Sequence, residues 1–191
     1  MSNRLTWSQE LANLVEIDQF EIGESLSLLF YKERIDNMIQ SVLEPITALT
    51  SNSASVPFSV DDLRTRSANC YCNGWLQHNE GSPLYKILCG GIYEVSFNAN
   101  VTSSVAGTVA LGLYQDGVLV PGTTVIAQIT TAGDYVNISF DKKLRICCRG
   151  DATLTVQSVP SVLTGDETPG TATVTEVPVI QNANFSITKK S

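Results

Sequence analysis

Gly91–Val101 reads GIYEVSFNANV, and its side chains alternate without interruption. Tyr93, Val95, Phe97, Ala99 and Val101 fall on one face, and Glu94, Ser96, Asn98 and Asn100 on the other. A strict period of two is the pattern of a β-strand with one buried and one wet face. It recurs downstream, always between turn residues. The spacing predicts strands at 68–72, 84–88, 91–101, 108–115, 125–130, 135–140, 143–148, 153–158, 173–180 and 184–189. Asp116-Gly117 supplies the positive φ of a tight hairpin, Pro121-Gly122 suits a type II turn, and Ala132-Gly133-Asp134 offers another reversal. Strands at this spacing predict an antiparallel sandwich or barrel.

Working outward, residues 1–49 read as helical. Thr6 with Gln9, or Ser8, caps a short helix through Leu11, Leu14 and Val15. Gly23 interrupts it, and a second helix is expected from about Glu24 to Glu44, ended or kinked by Pro45. Leu28, Ile35 and Val42 recur every seven residues, Leu49 extends that register, and Tyr31, Met38 and Ile39 fill in beside them. Such a stripe buries itself on a globular neighbour or in a short bundle of identical helices. From Thr50 to Asp62, TSNSASVPFSVDD has linker composition, with Phe58 and Val60 as anchors. The expected organisation is a helical anchor or oligomerisation segment at 1–49, a linker or extended arm at 50–65 and a β-head at 66–191.

Composition bounds the function. At 43% apolar residues, the 191-residue chain can bury a core. No apolar run approaches the ~20 residues that span a bilayer, so membrane insertion is not expected. The N-terminus lacks an h-region and cleavage site, which predicts synthesis and retention in a cytosol. Residues 1–62 carry ten acidic and three basic side chains, so the whole net charge of −7 resides there; the remainder is balanced. Neither part has the Lys/Arg cluster of a nucleic-acid-binding face.

The chemistry-bearing residues are sparse. His78 is the only histidine; no nucleophile motif accompanies it, and a solvated loop position is expected. Cys70 with Cys72 and Cys147 with Cys148 lack the CxxC spacing of zinc sites, and reduced, mostly buried thiols are expected. Asp61-Asp62 and Asp166-Glu167 read as solvated loop charge. Arg149-Gly150-Asp151 falls where a turn is wanted. These readings predict no catalytic residue, metal or cofactor.

The order of the β-segments carries a resemblance. Gly91-Ile92-Tyr93 opens a long central strand. Ala110-Leu111-Gly112-Leu113-Tyr114 runs into the Asp116-Gly117 hairpin, and DYVNISF, ATLTVQS and NANFSITKK follow. Over about residues 66–191 this succession resembles the C1q/TNF-like jelly roll, especially bacterial and phage versions on spore-surface fibres and virions. There is no Gly-X-Y collagen tract. The resemblance implies a mainly β, antiparallel jelly-roll sandwich behind an α-helical segment, associating as a homotrimer. It also implies a non-enzymatic virion structural subunit, a head fibre or capsid decoration protein made in the host cytoplasm. In that role residues 1–62 dock on the capsid or another virion protein, and loops 115–123 and 160–172 contact the host. The alternative is a carbohydrate- or receptor-binding adhesion module of a bacterial or spore surface. Cupin-type metal chemistry requires more than one histidine.

Overall fold

The computed structural model describes residues 37–65, 74–147, 151–162 and 173–190. The chain divides after Asp36, and all of these residues belong to the unit Asn37–Ser191. In chain order, β1 (Asn37–Leu43) and β2 (Thr47–Ala48) lead through an irregular segment to β3 (Val60–Arg64). β4 (Leu76–Gln77) and β5 (Tyr85–Ile87) precede β6 (Gly91–Ser103). β7 (Gly107–Gln115), β8 (Val118–Leu119), β9 (Val125–Ile129), β10 (Val136–Ile146) and β11 (Ala152–Ser158) follow. β12 (Ser161–Val162), β13 (Thr173–Val174) and β14 (Pro178–Lys189) close the described chain.

Two antiparallel sheets face each other. The first runs β10-β6-β14-β1-β3, with β2 beside β14; the second runs β4-β5-β11-β7-β8, with β9 beside β7. As the alternation of GIYEVSFNANV requires, Tyr93, Val95, Phe97, Ala99 and Val101 are fully enclosed in the core. Phe97 stands directly opposite Phe140 on β10 and Phe185 on β14. Phe185 continues the aromatic contact to Phe58 at 5.3 Å and to Tyr85 of the second sheet at 5.0 Å. The turn chemistry holds as well: Asp116 and Gly117 take φ of 52° and 79°, and Gly122 and Gly133 take 76° and 87°.

The helix expected to reach Glu44 is overturned from Asn37 onward. Ile39, Ser41 and Leu43 are buried while Met38, Gln40 and Val42 are half-buried, a period of two. Residues 37–43 pair one for one with Lys189 back to Ala183 of β14. An open strand edge thereby decides a segment whose apolar residues also match a helical stripe, since tertiary pairing overrides propensity. The rest of that stripe, Leu28, Tyr31 and Ile35, lies outside the described residues, as does the first helix.

The head therefore begins at residue 37 rather than 66, and 50–65 is not a linker. Val56 and Phe58 are completely buried, Val56 N–H donates to Val156 at 2.8 Å, and Ser55 bridges to Gln157. Of the two expected anchors Phe58 serves, while Val60 is exposed. The strands expected at 135–140 and 143–148 are the single strand β10. Lys142 occupies the inward slot between Phe140 and Leu144, and its ammonium donates to the Pro121 carbonyl at 2.7 Å. Expected strands 173–180 and 184–189 divide differently, into β13 and a long β14 whose register shifts between Ile180 and Asn182. The strand expected at 68–72 lies outside the described residues.

The outer face of the second sheet is roofed by the chain itself. Val159 and Val162 pack with Ala110, Tyr114 and Leu119 as a small satellite core. Gly112 permits this approach, because a Cβ there would lie 2.7 Å from Leu119 Cδ1 and 3.1 Å from Val159 Cγ2. In the first sheet no such cover exists among the described residues.

Because β1 is an inner strand and Phe58 is core, a fragment beginning at Asn37 is expected to unfold cooperatively on heating. A fragment of 66–191 is expected to show no cooperative transition by circular dichroism. A sharp transition in the shorter fragment would place the boundary back at residue 66.

Candidate functional site

His78 is not solvated: its side chain is 0% exposed and Asp61's is 10%. The local pattern explains both. Leu76 and His78 flank the exposed Gln77 and so turn inward, and Asp61 lies opposite buried Ser41 in the β1–β3 register. His78 Nδ1 stands 2.8 Å from Asp61 Oδ1 and Nε2 stands 3.0 Å from the Ser82 carbonyl. Each ring nitrogen thus faces an oxygen within hydrogen-bond distance. The ring lies flat on Tyr85, 3.9 Å between centroids and 2° between planes, a stacked contact. Ser41 Oγ donates to the same Asp61 oxygen at 2.6 Å.

Ser, His and Asp together invite a catalytic reading, but the order of contacts is wrong for one. Ser41 meets the carboxylate rather than the imidazole, and both ring nitrogens are spent on buried acceptors. No group is placed to take a proton from a nucleophile. What the cluster does is join the sheets. Arg64 donates to the carbonyls of Leu76 at 3.0 Å and His78 at 3.4 Å. Asp61 N–H donates to Glu80 Oε1 at 3.1 Å, and Gly81 N–H to Phe58 O at 2.6 Å. Edge strand β3 is thus clasped to the β4–β5 turn by polar bonds. Burial, with a smaller push from Asp61, drives the Tyr85 phenol far above its ordinary range. Ser41 lowers it somewhat, but that hydroxyl is committed to Asp61 and Tyr85 Oη makes no hydrogen bond. Burial also pushes Tyr93 up to about 12.

The second candidate is the outer face of the first sheet. In register, Ser139, Asn98 and Asn184 form one cross-strand row and Asn137, Asn100 and Asn182 the next. Their amides are bonded to one another: Asn100 Nδ2 donates to Asn182 Oδ1 at 3.0 Å, and Asn137 Nδ2 to Asn100 Oδ1 at 3.0 Å. A groove of about 320 Å³ runs along Gln40, Ser96, Phe97, Asn98, Asn184 and Ser186, with no ionisable side chain lining it. Val42 and Val60 pair across β1 and β3 at the margin. Charge appears lower on the sheet, where Lys190 meets Glu94 at 3.1 Å and Ser96 bonds Asp141.

The remaining expectations fall as follows. Asp61 is half-buried and bonded to Ser41 and His78, not solvated, whereas Asp62 is exposed. Cys89 is disulfide-bonded, so the expected reduced state fails there; its partner lies outside the described residues. Cys147 is a free, exposed thiol. Cys70, Cys72, Cys148, Arg149, Gly150, Asp166 and Glu167 lie outside the described residues, and Asp151 pairs with Lys86 at 3.3 Å. Among the described residues no three His, Cys, Asp or Glu side chains gather as a metal site, and no helix is long and apolar enough to cross a membrane. The buried cluster was readable only in part: V-D-D-L-R and W-L-Q-H set the alternation, but nothing local brings Asp61 to His78.

Comparison with known proteins fits this geometry. The globular domain of zebrafish complement 1qA superposes with a TM-score of 0.52 at 11% identity, covering 81% of this chain and 98% of that one. The fold is the C1q/TNF-like jelly roll. Murine APRIL at pH 5.0 aligns with a TM-score of 0.49 at 13% identity, over 81% of this chain and 98% of its own. No family model matches the chain, and no curated protein matches it.

Removing one partner of an enclosed hydrogen bond to a carboxylate typically costs about 2 kcal/mol, because the other partner is left unsatisfied. Asp61→Asn and His78→Ala are each expected to lose about that much in urea unfolding, and the double variant clearly less than their sum. Equal, additive losses would show that the two groups do not interact. For the tyrosines, a raised folded-state pKa means the native state holds the phenolic proton more tightly than the unfolded chain. That stability is complete below the ordinary phenol value of about 10 and is lost as pH rises beyond it. The melting temperature is therefore expected to fall steeply above about pH 10 and less steeply in Tyr85→Phe; identical alkaline profiles would contradict the burial of that phenol.

Proposed function

We propose that the protein is a non-enzymatic structural subunit of a virion, a head fibre or capsid decoration protein that displays a homotrimeric jelly-roll head. One observation carries this reading most. Asn37 pairs with Lys189, and Lys190 N–H donates to Ile92 beside them. The described head is therefore entered and left at the same end. The opposite end carries the 103–107 and 130–135 turns. The 115–118 hairpin shares the entry end, because β7 descends from Gly107 to Gln115 while β6 ascends. Host contact is accordingly assigned to the opposite turns and the 160–172 region rather than to 115–123.

Docking belongs to residues 1–36, which carry seven acidic and three basic side chains. The counterpart on a capsid or other virion protein is then basic, and attachment is salt-sensitive. Assembly occurs in the host cytoplasm before incorporation into the virion. Trimerisation is supported by the outer face of the first sheet, uncovered among the described residues, whose centre lacks charge as interface centres do. The fold likeness alone supports a role without catalysis, and the closed Ser41–Asp61–His78 contacts support it independently. The neutral groove favours a second reading, a saccharide-binding adhesion module, since amide and hydroxyl groups match sugar hydroxyls.

Light scattering of the full chain is expected to give a mass near three times 20.6 kDa. Binding to particles is expected to weaken as ionic strength rises. A single-chain mass, or binding indifferent to salt, would remove the corresponding half of the proposal. Retention on a glycan array by the groove, abolished in Asn184→Ala, would favour the adhesion reading.

A further inference from the structure

An unpaired strand edge invites pairing with another chain, and proteins blunt such edges by shortness, cover or charge. β4 and β8, on the margins of the second sheet, are two residues long, and β9 is five. β3 is closed by the β4–β5 turn, through Asp61 N–H to Glu80 and Gly81 N–H to Phe58. β10 ends the first sheet beyond β6 and runs 11 residues, the longest edge among the described strands. β9 lies against it, but the shorter strand turns into β10 through residues 130–135 and so accompanies only its upper part. Residues 141–146, the lower part, have no strand on their outer side among the described residues. That stretch is about 20 Å long, room enough for a strand of another chain.

Within that open stretch one residue breaks the pattern of the strand. Ile138, Phe140, Leu144 and Ile146 face the core, each at most 7% exposed, yet the inward slot between Phe140 and Leu144 holds Lys142. An apolar residue there would bury more hydrocarbon. The lysine is accommodated because its stem fills the slot while its ammonium crosses the seam between the sheets to the Pro121 carbonyl, 2.7 Å away. Pro121 and Gly122 are exposed, so this exit opens on solvent.

We propose that Lys142 bars the free edge of the first sheet from accepting a strand of another chain. A strand added to β10 would lie about 4.8 Å outside it. At that distance it covers the exit and encloses the ammonium, where a charge that has lost its solvent is strongly disfavoured. Within a single head the exit stays open, so the same residue costs little. The inward position is what discriminates the folded head from an edge-to-edge aggregate. Lys143 and Arg145 are exposed on the other face of β10 and would stay in water beside an added strand. This holds whatever assembly the wild type forms, because it concerns only pairing beyond it.

The test compares Lys142→Leu with Lys143→Leu in the full chain, each removing one positive charge from the same strand, one inward and one outward. Lys142→Leu is expected to melt no lower than the wild type. It is nevertheless expected to form thioflavin-binding aggregates at a concentration lower by about a hundredfold, equivalent to about 2.8 kcal/mol. Hydrogen exchange of those aggregates is expected to protect residues 141–146 beyond their level in the wild type. Lys143→Leu and Lys142→Arg are expected to stay as soluble as the wild type. If Lys142→Leu melts lower, Lys142→Met, with an unbranched stem for the slot, takes its place. A stably folded Lys142→Leu or Lys142→Met as soluble as the wild type overturns the proposal and leaves the lysine as a tie to the Pro121 turn. Equal aggregation of Lys143→Leu overturns it too, since loss of charge alone would then suffice. Lost stability in both replacements also overturns it, because the ammonium would then be a required part of the fold.

Discussion

The head is organised by one aromatic chain of contacts through its centre. Phe97 stacks on Phe140 at 5.2 Å within the first sheet and meets Phe185 edge-on at 6.5 Å. Phe185 then reaches Phe58 and Tyr85, the latter on the second sheet. These rings fix the three longest strands in register, since a slip of one residue would turn every ring to water. They also fix the distance between the sheets. Burying aromatic side chains supplies the largest apolar areas in a core, with additional stabilisation from offset and edge-to-face geometry. Phe58 is the member that recruits the 50–65 segment, which is why that polar stretch belongs to the head.

Around this centre the two sides of the sandwich are closed by different physics. On the β9–β10 side the chain reverses between sheets through a short turn at Gly133. On the β3 side the closure is ionic and hydrogen-bonded, built on Asp61, His78, Arg64 and Glu80. Hydrogen bonds of this kind each add little net stability but are specific in geometry. Here they hold an edge strand whose outward residues, Val60 and Leu63, remain apolar and exposed. The same strand also exposes the charged Asp62 and Arg64.

Much of this was legible in the sequence because it rests on period-two alternation and on glycine turns. β6, β7, β9 and β11 match their expected spans closely, since one face of each is predominantly apolar. The errors share one cause. NMIQSVL satisfies both a heptad stripe and an alternating strand, and only the open edge of β14, nearly 150 residues later, decides between them. Lys142 broke the alternation of β10 because a lysine stem can fill an inward slot while its ammonium finds a carbonyl. His78 looked solvated because Asp61, 17 residues earlier, meets it only after the sheets pack. The neutral rows of asparagine were visible as residues but not as a surface, for the rows exist only in the β10-β6-β14 register.

Hydrogen–deuterium exchange of the full chain tests the central claim most directly, that residues 37–43 are an inner strand locked to the aromatic core. The amides of β1, β6 and β14 are expected to exchange together and last, at the rate of global unfolding. If peptides covering 37–43 exchange within seconds while β6 stays protected, β1 is not part of the sandwich and the account fails.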